Sequence, residues 1–382
     1  MYKAFGIVNP CGKNIWVDGL QKHRPIGSFS FLGRYRVVDF PISNLSNSGI
    51  DRIQVYVGSK PRSIVEHIGT GRHYSINSKS GKVQILFSDA NVQNSLYNTD
   101  ISAYLANLDY IERMHHDYVV ITPSYMVYEQ DFNTLLNTHI ESGADVTLLY
   151  HSVDNAKDHF LNCNILNLNK QKGVLSIETN HGNAKNRQIF MDTYIMKKDL
   201  LIELIHKAKK TSSMFTLADI ISSEPEDENL DIRGVAHRGF FASITDFKSF
   251  YDANMSLIDY KTAQTLFADN WPIYTRTNDS CPTRYFETAD VKSSVVSNGC
   301  RIEGTVENSV IGRGCIIKKG AVVKNSVILA GTVIGEDIRV ENQVVDKGVK
   351  ILKVPEVISP EDQPGYVAVS YTHLTLPTIL LV

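Results

Sequence analysis

The chain has 382 residues, of which 43% are hydrophobic and 21% charged, with a formal net charge of −2. That length predicts about two domains with buried cores, and the near-neutral balance excludes a broad pull toward nucleic acid or an anionic membrane surface. Cys11, Cys163, Cys281, Cys300 and Cys315 are odd in number and lack paired metal spacing, so they read as reduced thiols of a cytoplasmic protein. No secretory signal opens the chain, and no apolar run reaches the roughly 18 residues needed to span a bilayer.

In chain order, Ala4 to Val8 is a short apolar strand, of the kind buried in an α/β sheet. The loop Asn9-Pro10-Cys11-Gly12-Lys13-Asn14-Ile15 follows, in which Pro10 offers no N–H. Arg24 to Ile50, RPIGSFSFLGRYRVVDFPISNLSNSGI, reads as a loop, a buried strand turn and the start of a helix. Asp51–Val57 is a second strand, Pro61–Ile68 a helix on which His67 reads as a packing residue, and Val83–Phe87 a third strand. Asp100 stands alone in the polar stretch Asn91–Ser102 and reads as a turn former. Leu105, Leu108 and Ile111 recur at helical spacing and predict a helix over Ala103–Met114.

Tyr118–Ile121 is a strongly apolar central strand. Ligands of open α/β sheets bind beyond the carboxyl ends of the strands, so chemistry is expected just after Ile121. Beyond it the pattern predicts helices over Phe132–Ser142, Lys197–Lys209 and Thr216–Ile221, strands over Asp145–Tyr150 and Gln188–Met196, and a hairpin of Asn162–Leu168 with Gly173–Glu178. Asp246 reads as the N-cap of a helix over Phe247–Leu257, its side-chain oxygen accepting from exposed amides. From Val295 the grammar changes: Val296 and Ile302, then Ile311, Ile317 and Val323, then Ile328, Ile334 and Val340 recur every six positions between glycines. A hexapeptide period marks a parallel β-helix. A hexapeptide-repeat acyltransferase would carry a catalytic histidine among the coils, and none occurs between Val291 and Ile351.

The pattern YRxxDFxxSNxxNSGI ending at Ile50, the Trp271–Thr275 run WPIYT, the Gly239–Leu257 run GFFASITDFKSFYDANMSL and the repeats from Val295 together resemble one family. It is that of the ADP-glucose pyrophosphorylases (glucose-1-phosphate adenylyltransferases), and the resemblance covers about residues 3 to 345. It is closest to the GlgD-type regulatory subunit. The implied fold is α/β: a nucleotidyltransferase Rossmann-like mixed-sheet domain over 1–260, a linker over 261–290, and a left-handed parallel β-helix over 291–352. The tail 353–382 loses the repeat, and its last ~15 residues, AVSYTHLTLPTILLV, read as foreign to the fold.

The resemblance also implies which residues to inspect. Of the family's Gly-rich phosphate loop, Gly12 and Lys13 remain as residual nucleotide contacts, and of its sugar-side FxEKP motif Glu178 remains. The family's two lysine positions fall on Ile26 and Thr179, and its two metal-binding aspartates on Tyr125 and Ser243. Phe190 and Asp192 replace small residues and are expected to crowd the sugar pocket. Losing these charges removes what stabilises a transferring phosphoryl group and what holds magnesium. His23, Arg24 and Arg36 match positions that contact an anionic effector in bacterial relatives. The expectation is a catalytically impaired regulatory subunit, without a cofactor, that partners a catalytic subunit in a hetero-oligomer, a tetramer. The alternative is an active enzyme that makes ADP-glucose and pyrophosphate from ATP and glucose 1-phosphate. It would need magnesium on relocated ligands such as Asp100 or Asp246.

Overall fold

A computed structural model describes residues 3–10, 15–77, 79–88, 98–223 and 230–369. Gly12 and Lys13, residues 91–97 of the polar loop and residues 370–382 of the tail lie outside the described residues. Among those described, the first domain is built on a mixed sheet of nine strands. Its parallel half holds β1 (Ala4–Asn9), β4 (Arg52–Val57), β5 (Lys82–Phe87) and β6 (Tyr118–Pro123), in the order β6-β1-β4-β5. β1, β4 and β6 are almost wholly buried, as strands covered on both faces are, whereas the edge strand β5 leaves Lys82 and Phe87 exposed. β11 (Arg187–Lys197) pairs antiparallel with both β6 and β8 (Val146–Val153), and β12 (Ile232–Ala236) extends that edge parallel to β8. The hairpin of β9 (Asn164–Leu168) and β10 (Val174–Thr179) joins through β9.

Before α1 (Asp39–Asn47), the stretch from Arg24 folds as a single 3-10 turn at Ile26–Ser28 and a hairpin of β2 (Ser30–Phe31) with β3 (Tyr35–Arg36). Gly33 sits at the hairpin tip with a φ of 66°, and a Cβ there would lie 2.7 Å from the Ile311 carbonyl oxygen. Glycine is therefore required twice over, by conformation and by close approach to the β-helix. The helix α2 (Arg62–Ile68) follows Pro61 as expected. Asp246 caps α8 (Phe247–Ser256): its carboxylate accepts from Ser249 N at 2.7 Å and Ser249 Oγ accepts in return from the Asp246 amide.

Two expectations change. The helix predicted over Ala103–Met114 is two short helices, α3 (Asp100–Ala106) and α4 (Leu108–Glu112). The break falls at Asn107, whose amide donates to the carbonyls of Phe87 and Ala103, a side chain competing with the helical ladder. Asp100 therefore opens a helix capped by Thr99 rather than a free turn.

The β-helix also reaches further than its repeat. Among the described residues it comprises three parallel sheets of five short strands, running from Arg284–Tyr285 to Gly365–Val367. Glu356–Ile358 and Gly365–Val367 stack in register on Arg339–Glu341 and Gln343–Val345. Backbone hydrogen bonds sustain the coil where the six-residue pattern has lapsed. Asn308, Asn325 and Asn342 occupy equivalent left-handed corners at φ 44°, 45° and 54°, a conformation asparagine tolerates better than most residues. The coils dock on the first domain through Tyr251 Oη, which donates to Asn325 O at 2.5 Å, and through Phe247 edge-on to Tyr366. No helix among the described residues is long and apolar enough to cross a membrane.

Candidate functional site

The carboxyl ends of β1 and β6 open onto a cavity of about 190 Å³. Asn9 and Pro123 come from the strand ends, Thr99 and Asp100 from the head of α3, Glu178 and Thr179 from β10, and Asp192 and Tyr194 from β11. Tyr125 is buried at the cavity wall, and its hydroxyl donates to the Asp192 carboxylate. A bulge in β11 between Phe190 and Tyr194 aims Asp192 there, and its φ is 43°. A left-handed non-glycine residue at a bulge is a costly conformation, typical of functional positions. Burial raises the Asp192 carboxyl above its ordinary range, while its Tyr125 and Asn164 donors pull the other way. Phe190 does not enter the cavity. It is fully buried and packs edge-on against Tyr194, so of the two replacements only Asp192 fills sugar-side space.

The other positions implied by the resemblance are equally changed. Ile26 is 1% exposed and belongs to the main apolar core. Thr179 lines the cavity, and Glu178 beside it accepts from Asn167 and Ser176 side chains. Ser243 lies buried away from the cavity, 3.4 Å from Cys163 Sγ. Burial pushes that thiol up to about 12, and Phe160 stacks on Phe241 over the same spot at 5.5 Å.

These residues do not fit magnesium, which takes six hard oxygens at about 2.1 Å, carboxylates among them. A phenol and a hydroxyl stand in the two key places. Asp100 is engaged by the Ile101 and Leu217 amides at 2.8 and 3.1 Å, and Asp246 is held in its capping role. Among the described residues, Asp39, His67 and His73 are the one group of potential ligands whose atoms converge. They lie elsewhere, and two of the three are already partnered: His67 Nε2 sits 2.6 Å from Asp39 Oδ1, which also accepts from Tyr74 Oη.

The second site is a cleft of about 560 Å³ between the domains. Arg24, Arg34 and Arg36 reach it from the Arg24–Ile50 segment, Arg276 from the connector, and Arg313 and Lys347 from the coils. Crowding is visible in the proton affinities. Arg36 is lowered by burial and then by Arg24, Arg313 by burial and then by Arg34, and Lys347 by burial and then by Arg36. An anion seated among them would relieve that repulsion. Arg24 is half-committed through an ion pair with Asp346, and Arg36 donates to the Ser28 carbonyl. His23 is exposed and does not line the cleft. Arg276, Arg313 and Lys347 were missed from sequence, because nothing in their local pattern marks them until the coils dock.

The family described as nucleotidyl transferase matches residues 19–259, and that described as GlmU-like, C-terminal hexapeptide matches residues 283–362. The glycogen biosynthesis protein GlgD of Bacillus subtilis (strain 168) is 30% identical over 95% of this chain and 94% of its own length. This chain belongs to the glucose-1-phosphate adenylyltransferase family. Its family relatives include both named kinds. The GlgD of Geobacillus stearothermophilus is 29% identical over 84% of this chain and 83% of that protein. The glucose-1-phosphate adenylyltransferase of Clostridioides difficile (strain 630) is 29% identical over 77% and 76%. The family's two-part architecture, a nucleotidyltransferase domain and a left-handed β-helix, is the one described above.

Proposed function

We propose that this chain is a non-catalytic subunit that regulates an active glucose-1-phosphate adenylyltransferase in a hetero-oligomer, a tetramer, in the cytoplasm. The observation that carries the reading is the Tyr125–Asp192 pair. A phenol stands beyond β6, where the family holds a metal carboxylate, and its hydroxyl donates to Asp192, one of the carboxylates that line the cavity. The buried Ser243–Cys163 contact supports the same reading at the second metal position. The cationic interdomain cleft supports a role in sensing an anionic small molecule, with Arg24 and Arg36 joined there by four further cations.

The alternative, turnover by this chain alone, needs relocated metal ligands, and the bonds made by Asp100 and Asp246 count against it. The test is pyrophosphate release from ATP, glucose 1-phosphate and Mg²⁺, with the purified chain alone and then mixed with a catalytic relative. The expected result is no turnover alone and a changed rate or anion response in the mixture. Robust turnover alone would sink the proposal.

A further inference from the structure

The cavity at the ends of β1 and β6 has the wrong charge for the family's phosphorylated substrates. Its described lining includes four carboxylates, Asp100, Glu178, Asp192 and Asp219, and no lysine, arginine or histidine. Lys13, between the lining residues Pro10 and Ile15, lies outside the described residues; from the described lining a phosphate dianion would face like charge, which low-dielectric surroundings make worse. The same lining is rich in hydrogen-bonding groups. A sugar hydroxyl both donates and accepts, and carboxylates make the stronger acceptors.

Three further observations point to a small polar ring. Asn9 is 8% exposed, lines the cavity, and its Oδ1 has no hydrogen-bond partner among the described residues. A buried carbonyl left without a donor costs stability, and a ligand hydroxyl entering the cavity would supply one. Asp192 is held at a φ of 43° by a bulge that turns its carboxylate into this space. Aspartate is one of the few side chains that tolerate this backbone, and the bulge places its carboxylate at the cavity. The space, about 190 Å³, is below the ~300–1,000 Å³ of pockets that enclose drug-sized ligands, and the Tyr125 and Tyr194 rings provide apolar surface beside the acceptors.

We propose that this cavity binds an uncharged monosaccharide and rejects its phosphate ester. Asp192 and Asn9 accept from ring hydroxyls, while Asp100 is fixed by the amides at the heads of α3 and α7 (Leu217–Ser223). The inference rests on the non-catalytic reading, because an unphosphorylated sugar offers no leaving or attacking phosphate. A binding measurement separates the two, since binding can fail while the chain still regulates a partner, and turnover can appear whether or not glucose binds.

The experiment is ligand-observed NMR and calorimetric titration of the full chain with D-glucose, α-D-glucose 1-phosphate and D-glucosamine. Expected are saturable glucose binding and glucose 1-phosphate at least about tenfold weaker. Asp192→Asn and Asp192→Gly both tolerate the left-handed backbone, so they keep the fold, checked by an unchanged melting temperature, and weaken glucose at least about tenfold. Thr179→Lys restores a cation at the cavity wall and shifts the preference toward the phosphate ester. The proposal is overturned if glucose does not bind, if glucose 1-phosphate binds as tightly, if glucosamine binds tenfold more tightly, or if both Asp192 variants bind glucose like the parent chain.

Discussion

Arg24, in the loop before the β2–β3 hairpin, and Asp346, in the β-helix, form a buried ion pair between residues 322 positions apart. Asp346 also accepts from Tyr366 Oη at 2.7 Å and from the Lys347 amide at 2.7 Å. One carboxylate thus ties the first domain, a coil and the final described strand together. Removing one partner of a buried pair costs about 3–5 kcal/mol, because the other charge is left without compensation. Asp346→Ala is expected to lower stability by about 3 kcal/mol in urea unfolding, and Asp346→Asn by less, since the amide keeps part of the hydrogen bonding. A loss under about 0.5 kcal/mol for the alanine variant would show that the pair contributes nothing net.

The cationic cleft should bind anions in a way that both domains contribute to. Inorganic pyrophosphate, a small polyanion, added at about 100 times its Kd is expected to stabilise the chain by about 2.7 kcal/mol, less at high salt because the cleft is solvent-accessible. Arg313→Ala and Lys347→Ala, both on the coils, should each weaken that protection. Arg113, an exposed surface residue paired with Asp109, is the control whose replacement by alanine should leave it unchanged. Equal protection in all variants would move the anion site elsewhere.

Asp246 separates a cap from a metal ligand. Asp246→Ala is expected to cost about 1 kcal/mol, the usual value of an N-cap, and Asp246→Ser much less, because a serine oxygen can take the same amide. Chemical denaturation with and without Mg²⁺ reads both. A magnesium-dependent stabilisation that vanishes in the alanine variant would give Asp246 the other role.

Acid should weaken the fold in a defined window. Burial pushes the His139 and His237 imidazoles down to about 4, against about 6.5 in an unfolded chain. Between those values the unfolded state holds more protons, so stability present at neutral pH is lost as pH falls from about 6.5 toward 4. Asp100 opposes this. Burial raises it to about 6, so the folded state takes up its proton first and gains stability as pH falls from about 6 to 4, over most of the same window. Asp192 and Glu129, raised by burial, oppose it too, while His73, His116 and His151, lowered by burial, reinforce it; five imidazoles outweigh three carboxyls, and the net expectation is a falling melting temperature from pH 6.5 to 4. Asp100→Asn should steepen that fall, and His139→Gln should flatten it. A flat profile in the parent chain would contradict the buried neutral histidines.

Short-range pattern carries the local features of this chain. The apolar runs of β1, β4 and β6, the helix over Phe132–Ser142, the Asp246 cap and the six-residue period of the coils are all local, and periodicity reports them without knowledge of the fold. The residue types at Ile26, Tyr125, Thr179 and Ser243 were legible by register alone. Tertiary structure decided the rest, because it depends on groups distant in the chain. Asn107 splits a helix by reaching Phe87. A bulge, invisible to a two-residue period, turns Asp192 onto Tyr125 and leaves Phe190 in the core. Backbone pairing carries the β-helix to Val367 after its side-chain pattern has ended. The cleft exists only because docking brings Arg313 and Lys347 of the coils beside Arg24 and Arg36. Charge in one place is a sum over segments that no single stretch of sequence contains.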